Sequence, residues 1–251
     1  MVVSKPAGLA TVLHPEDRER RPPSQWPETL ERLLPPLIQR QEGGRAKGRP
    51  RPLRVVQRLD LGTSGVLVFA RTPEAEQSLA DQFRRHTVHR RYLALVRGTV
   101  SRPLRIETLL VENRGDGLRG SLPPGAPASV QRTGKRALTH VTPLETLPGH
   151  TLVECRLETG RTHQIRIHLA EAGHPLVGET LYQGPLPGKP RGRKEAKSPE
   201  PSAPPAAPRL MLHAHELGFK HPNSGTPLRF ILPPPPEFEA ALAALRSPPS
   251  G

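Results

Sequence analysis

The chain has a single cysteine in 251 residues, so no intramolecular disulfide can form and a reducing cytoplasm suits it. That residue, Cys155, lies in an alternating apolar segment and reads as a small core side chain. No apolar run is long enough to span a bilayer, and neither a signal peptide nor a long basic amphipathic helix stands out, so a membrane is not an expected partner. Hydrophobic residues make up only 34%, too few for every segment to join a core. Aromatic residues are scarce, and with only two tyrosines each one is a marked position. Acidic residues are the minority charge, 23 against 37 Lys and Arg, and they form no cluster that would hold a catalytic metal, which weighs against a metal-dependent nuclease.

Positive charge and proline are what the chain has in quantity. A formal charge of +14 and a pI near 11.1 favour a polyanionic partner, because each neutralised phosphate releases counterions. The length allows one large domain or two small ones. The 33 prolines mark the segments that stay outside the core. Residues 16–52 form a Pro/Arg-rich insertion with one short helix, where Leu30, Leu33, Leu34, Leu37 and Ile38 recur at helical spacing. Pro35 and Pro36 fall inside that helix and are expected to kink or divide it. The basic tract 43–51 reads as a solvated loop, and 184–208, rich in Pro, Lys and Arg, reads as a disordered insertion. Residues 247–251 are a tail.

Between these segments the pattern is regular. A strand end and a Lys5-Pro6-Ala7-Gly8 turn open the chain, and strands are predicted over 53–56 and 66–70. A helix follows over 72–83, capped by Thr72, with Pro73 at its first position and Glu74 and Glu76 in its first turn. Residues 86–96 read as a strand with Tyr92, Ala94 and Val96 on one side. A hairpin with a long loop, 113–133, occupies 98–136, and strands 137–145 and 151–157 flank a Pro148-Gly149 turn. A helix is predicted from near Thr162 to Gly173, a hairpin over 209–232, and a last helix over 238–245.

The turn between the strands at 53–56 and 66–70 carries Asp60. An Asp beside glycine is ordinarily a turn former, but its neighbours are unusual. Arg58-Leu59-Asp60 followed by Leu61-Gly62-Thr63-Ser64-Gly65 resembles the signature of the RluA-type pseudouridine synthases, which modify ribosomal large-subunit RNA and transfer RNA. The resemblance implies that Asp60 is the catalytic nucleophile. At the position two before Leu59, members usually have His, and this chain has Gln57. Lys5-Pro6 is similar to the family's first motif, where such a pair packs beneath the active site. Arg91-Tyr92-Leu93-Ala94-Leu95-Val96 matches the second, which implies that Tyr92 lies against the target base and acts in proton transfer. The run 158–175 resembles the third, which implies that Arg166 pairs with the catalytic carboxylate.

The resemblance carries expectations for fold, site and partner. The fold class is α+β: a single catalytic domain, 1–246, with a mixed, mostly antiparallel central sheet flanked by helices. Asp60, Tyr92 and Arg166 are the catalytic candidates, and Arg58, Arg161, His163 and Gln164 the substrate-binding ones. No cofactor or metal is called for. His163 and His168, five apart on a helix, point in different directions, and similar histidines to His213, His215 and His221 occur in the family without a metal. The expected partner is RNA, ribosomal or transfer, bound by a monomer. Many members carry a small basic RNA-binding appendage, and without it recognition is expected to rest on the catalytic domain. The uridine would be flipped out or taken from a loop, and the carboxylate would act either by attacking C1′ or through a glycal pathway. Two alternatives are a catalytically silent RNA-binding protein on the same fold and another carboxylate-dependent enzyme acting on nucleic acid.

Overall fold

The computed structural model describes residues 1–42, 51–123, 125–183 and 209–247. Most of the basic tract 43–51, the insertion 184–208 and all but the first residue of the tail lie outside the described residues. In chain order the first elements are β1 (Val2–Lys5), α1 (Pro15–Arg20), α2 (Leu30–Gln41), β2 (Arg54–Val55), β3 (Ser64–Ala70) and α3 (Pro73–Arg84). Then come β4 (His89–Arg97), β5 (Leu104–Val111), β6 (Gly120–Ser121), α4 (Ala128–Gln131), β7 (Lys135–Leu147) and β8 (His150–Leu157). The chain closes with α5 (Gln164–Glu171), β9 (Leu212–Lys220), β10 (Pro227–Ile231) and α6 (Pro236–Arg246). The fold is α+β with mostly antiparallel strands, as the sequence implied.

Contacts divide the chain into two compact units. The first holds residues 1–89 and 214–232. Its centre is β3, buried along its whole length. β1 pairs antiparallel with it, Lys5 opposite Gly65, and β2 pairs through Val55 and Phe69. Val66, Val68 and Ala70, alternate residues of one strand face, meet Leu79 of α3 and Leu217 and Phe219 of β9. The α3 start is as the sequence indicates: the Thr72 hydroxyl accepts from Ala75 N at 3.2 Å, and Pro73 follows. Gly65 is required where it stands. Its φ is +128°, and a Cβ there would lie 2.3 Å from the Ala214 carbonyl oxygen.

The second unit holds residues 90–213 and those after 232. β4 pairs with β8, β8 with β7, β7 with β5 and β5 with β6, all antiparallel. Tyr92 stands opposite Cys155, and Leu147 opposite His150 across a two-residue turn. Leu95, Leu152, Met211, Phe238 and Leu242 pack α6 against these strands. Ile167 and Ala170 of α5 pack with Leu110, Ala137 and Tyr182. Cys155 is fully buried, and burial pushes its thiol pKa up, in keeping with a core role.

Four local expectations need correction. α2 runs unbroken through Pro35 and Pro36. Its first turn is tied down by Leu30 N to Ala10 O at 3.0 Å and Glu31 N to Thr11 O at 3.2 Å, and the Pro35 ring is buried as part of the packed face, which offsets the two missing donors. Residues 16–52 carry a second helix, α1, which buries no side chain and so leaves no apolar periodicity; its start is signalled by the His14 cap and Pro15. β4 begins at His89 and α5 at Gln164, later than expected, because His86 and His163 take left-handed φ values of 58° and 57° that interrupt regular structure. The loop 113–133 contains β6 and α4.

Candidate active site

In the first unit, the residues on both sides of Asp60 are held by their backbones. The Thr11 hydroxyl donates to Leu59 O at 3.1 Å and accepts from Leu59 N at 3.2 Å. Leu61 O accepts from Gly8 N at 2.8 Å and from the Lys5 ammonium at 3.2 Å. Thr63 N donates to Asp60 O at 3.0 Å and closes the turn. Asp60 is therefore a half-buried carboxylate on a turn whose backbone is fixed before and after it. Arg58 is exposed and, with Arg18, Glu19, Glu31 and Leu13, lines a surface concavity of about 320 Å³. The Gln57 amide nitrogen is buried and has no hydrogen-bond partner among the described residues.

In the second unit, Tyr92 lies on β4 with Arg90 two residues before it on the same strand face. Arg90 is buried, which lowers its pKa, and its Nη2 donates to Glu158 O at 3.1 Å. Gly160 lies against it: a Cβ there would fall 2.4 Å from Arg90 Nη1. The turn that follows is held by Gln164, which is buried and bonded four ways. Its Oε1 accepts from the Thr159 hydroxyl at 2.8 Å and Arg161 N at 3.0 Å, and its Nε2 donates to Leu138 O and Thr139 Oγ1, both at 3.0 Å. Arg161 Nε donates to Arg136 O at 3.1 Å.

Arg166 and His163 come together around two residues that the sequence reading did not single out. Arg166 Nε and Nη2 donate to the two carboxylate oxygens of Glu179, each at 2.7 Å. The Tyr182 ring centroid lies 5.2 Å from Arg166 Cζ, and its hydroxyl meets His163 Nδ1 at 2.8 Å. Burial alone would raise the Glu179 pKa; the bonds from Arg166 and from Leu181 N and Tyr182 N outweigh it, so the carboxyl sits below its ordinary value. The only sign in the sequence was a Gly-Glu-Thr turn followed by one of only two tyrosines. His168 points elsewhere, to the hydroxyls of Thr108 at 3.0 Å and Thr139 at 2.9 Å. Among the described residues no three His, Cys, Asp or Glu gather where they could hold a metal ion.

Known proteins resemble the chain throughout its length. The sequence profile described as RNA pseudouridylate synthase matches residues 1–171. Ribosomal large subunit pseudouridine synthase D of Xylella fastidiosa is 38% identical over 98% of this chain and 66% of its own length. The protein of that name from Neisseria meningitidis serogroup A is 38% identical over 98% of this chain and 59% of its own. This chain thus spans roughly three fifths of the length of the curated relatives it matches. Among solved structures, human RNA pseudouridylate synthase domain containing 4 aligns with a TM-score of 0.69 at 23% identity, covering 98% of this chain and 89% of that one, a likeness of fold. Human RNA pseudouridylate synthase domain containing 1 aligns with a TM-score of 0.57 at 27% identity, covering 84% and 86%. By the profile that covers its first two thirds and by these relatives, the chain belongs to the RNA pseudouridylate synthase family.

Proposed function

We propose that this protein is an RNA pseudouridine synthase that isomerises a specific uridine in structured RNA, with Asp60 as the nucleophile. Ribosomal large-subunit RNA is the favoured substrate over transfer RNA, because that is the substrate in the names of the relatives reported above. The observation that carries the reading is the Asp60 turn, whose flanking residues are pinned by Thr11, Gly8 and Lys5. A carboxylate carried on so fixed a turn has little backbone entropy left to lose in reaching a reacting carbon.

In the reaction the N1–C1′ bond breaks, the uracil turns, and a C5–C1′ bond forms. C5 gives up its proton and N1 gains one, so the change is an isomerisation that needs no oxidant, reductant or cofactor. Asp60 acts on the sugar, Tyr92 is the aromatic acid or base beside the uracil, and Arg166 contributes positive charge to the reaction. Arg58, Arg161 and His163 are proposed as contacts to the RNA. For Gln164 the buried, four-bonded amide supports a different part, holding the turn before α5 in place. The reading carries with it a monomer that works on RNA in the cytoplasm. No helix among the described residues is long and apolar enough to cross a membrane.

The test is to incubate the purified protein with unmodified ribosomal large-subunit RNA and map pseudouridine by mass spectrometry. The wild type is expected to modify one site, and Asp60→Asn to bind the same RNA with activity below about one part in a hundred. Binding without modification by the wild type would leave an RNA-binding protein on this fold; release of free uracil would point to a glycosidase.

A further inference from the structure

Arg166 is gripped along one edge by Glu179. A guanidinium has five N–H donors in one plane, and here the Nε and Nη2 edge is engaged by both oxygens of Glu179. This fixes the plane and directs the remaining Nη edge away from Glu179. The carboxylate does not take its position from the arginine. Glu179 Oε1 also accepts from the backbone N–H groups of Thr180 at 3.0 Å, Leu181 at 2.9 Å and Tyr182 at 3.4 Å, so the turn itself sets the carboxylate. The Tyr182 ring, 5.2 Å from Cζ, limits rotation of the guanidinium.

Such a pair could be a brace that docks α5. That helix, however, already has Ile167 and Leu169 fully buried, His168 bonded to two threonine hydroxyls, and Gln164 bonded four ways at its start. A buried ion pair seldom stabilises more than apolar residues of the same volume, whereas it does impose direction. We propose that Glu179 is a positioning residue: through its turn it aims the Arg166 guanidinium for the reaction, while Tyr182 keeps the plane and orients His163. This inference rests on the assignment of Arg166 to the reaction, and goes beyond it by naming what sets the arginine's direction.

The test uses Glu179→Gln, Glu179→Asp, Arg166→Lys and the Glu179→Gln/Arg166→Lys double variant of the full chain. Glu179→Gln is expected to lower kcat by about 100-fold, the scale of a misaimed group, with KM and RNA affinity unchanged. Glu179→Asp keeps the charge on a shorter arm and is expected to recover part of that loss. The double variant should turn over at the rate of Arg166→Lys alone, because Glu179 acts through Arg166. Losses that multiply, or a folded Glu179→Gln protein with wild-type kcat, would overturn the proposal. A second readout needs no turnover. In ¹⁵N-labelled wild type the Arg166 Nε–H, identified by its absence in Arg166→Lys, is expected to be protected from solvent exchange and to lose that protection in Glu179→Gln. If Glu179→Gln does not fold, Glu179→Asp carries both measurements, and wild-type kcat with wild-type protection there would overturn the proposal. If the wild type makes no pseudouridine, the functional reading fails, while the Nε–H resonance still decides whether Glu179 holds Arg166.

Discussion

The Lys5 ammonium nitrogen lies 3.2 Å from the carbonyl oxygen of Leu61, the residue that follows Asp60 in the chain. The same nitrogen donates to Pro6 O at 2.9 Å and Leu9 O at 2.7 Å, and the side chain is only 1% exposed. A buried ammonium thus gathers three carbonyls from two turns and ties the end of β1 to the Asp60 turn. Replacing it by Met keeps the volume and removes the donors. Lys5→Met is expected to lower unfolding free energy by about 3 kcal/mol: three charge-assisted bonds worth about 1.5 to 3 each are lost, and relief of the desolvation cost of a buried ammonium offsets part of that loss. Urea unfolding checks this, and a change within about 0.5 kcal/mol, the scale of an inert surface substitution, would show that the bonds contribute nothing.

Two glycines of left-handed φ should separate strain from collision. Gly65→Ala meets the Ala214 backbone at 2.3 Å and is expected to cost more than about 3 kcal/mol or to yield no soluble protein. Gly8→Ala, at φ +82° with nothing within 4 Å, should cost only about 1 to 2 kcal/mol. Comparable melting temperatures for the two variants would contradict the close approach of β3 and β9.

Gln164 and Arg161 sit three residues apart and should respond oppositely. Gln164→Glu sets a carboxylate against Leu138 O where Nε2 now donates, and should destabilise the protein by about 3 kcal/mol. Arg161→Ala should leave the melting temperature within a degree or two (about 0.5 kcal/mol) and weaken RNA binding, with a shallower dependence on salt. An Arg161→Ala protein with unchanged RNA affinity would remove it from the binding surface.

His168 gives a pH signature. Burial lowers its pKa from 6.5 to about 4, so the folded protein binds this proton less readily than the unfolded chain. The stability it confers is complete above pH 6.5 and is lost as the pH falls through that value towards 4. Across that window the wild type should lose up to about 3 kcal/mol more than His168→Gln, a difference read from paired urea titrations at each pH. Parallel pH profiles would mean that His168 titrates normally in the fold.

Much of this molecule is legible along the chain because the controlling interactions are local. The Thr72 cap of α3, the alternation of β3 and the turn between β7 and β8 each depend on residues within a few positions of one another. The α+β class and the family follow from the same kind of evidence, motifs written in consecutive residues. Local patterns also explain the failures. α1 buries nothing, so periodicity is silent about it, and α2 passes two prolines because contacts to residues 10 and 11 hold its first turn.

What only the tertiary structure decided is which side chains hold the motif residues in place. Arg166 lies 13 residues from Glu179, His163 19 from Tyr182, and Lys5 56 from Leu61. None of these pairs has a spacing that marks a helix face or a strand face. Each depends on where a turn meets an element packed by the hydrophobic core, and the sequence carries the partners without stating that they meet.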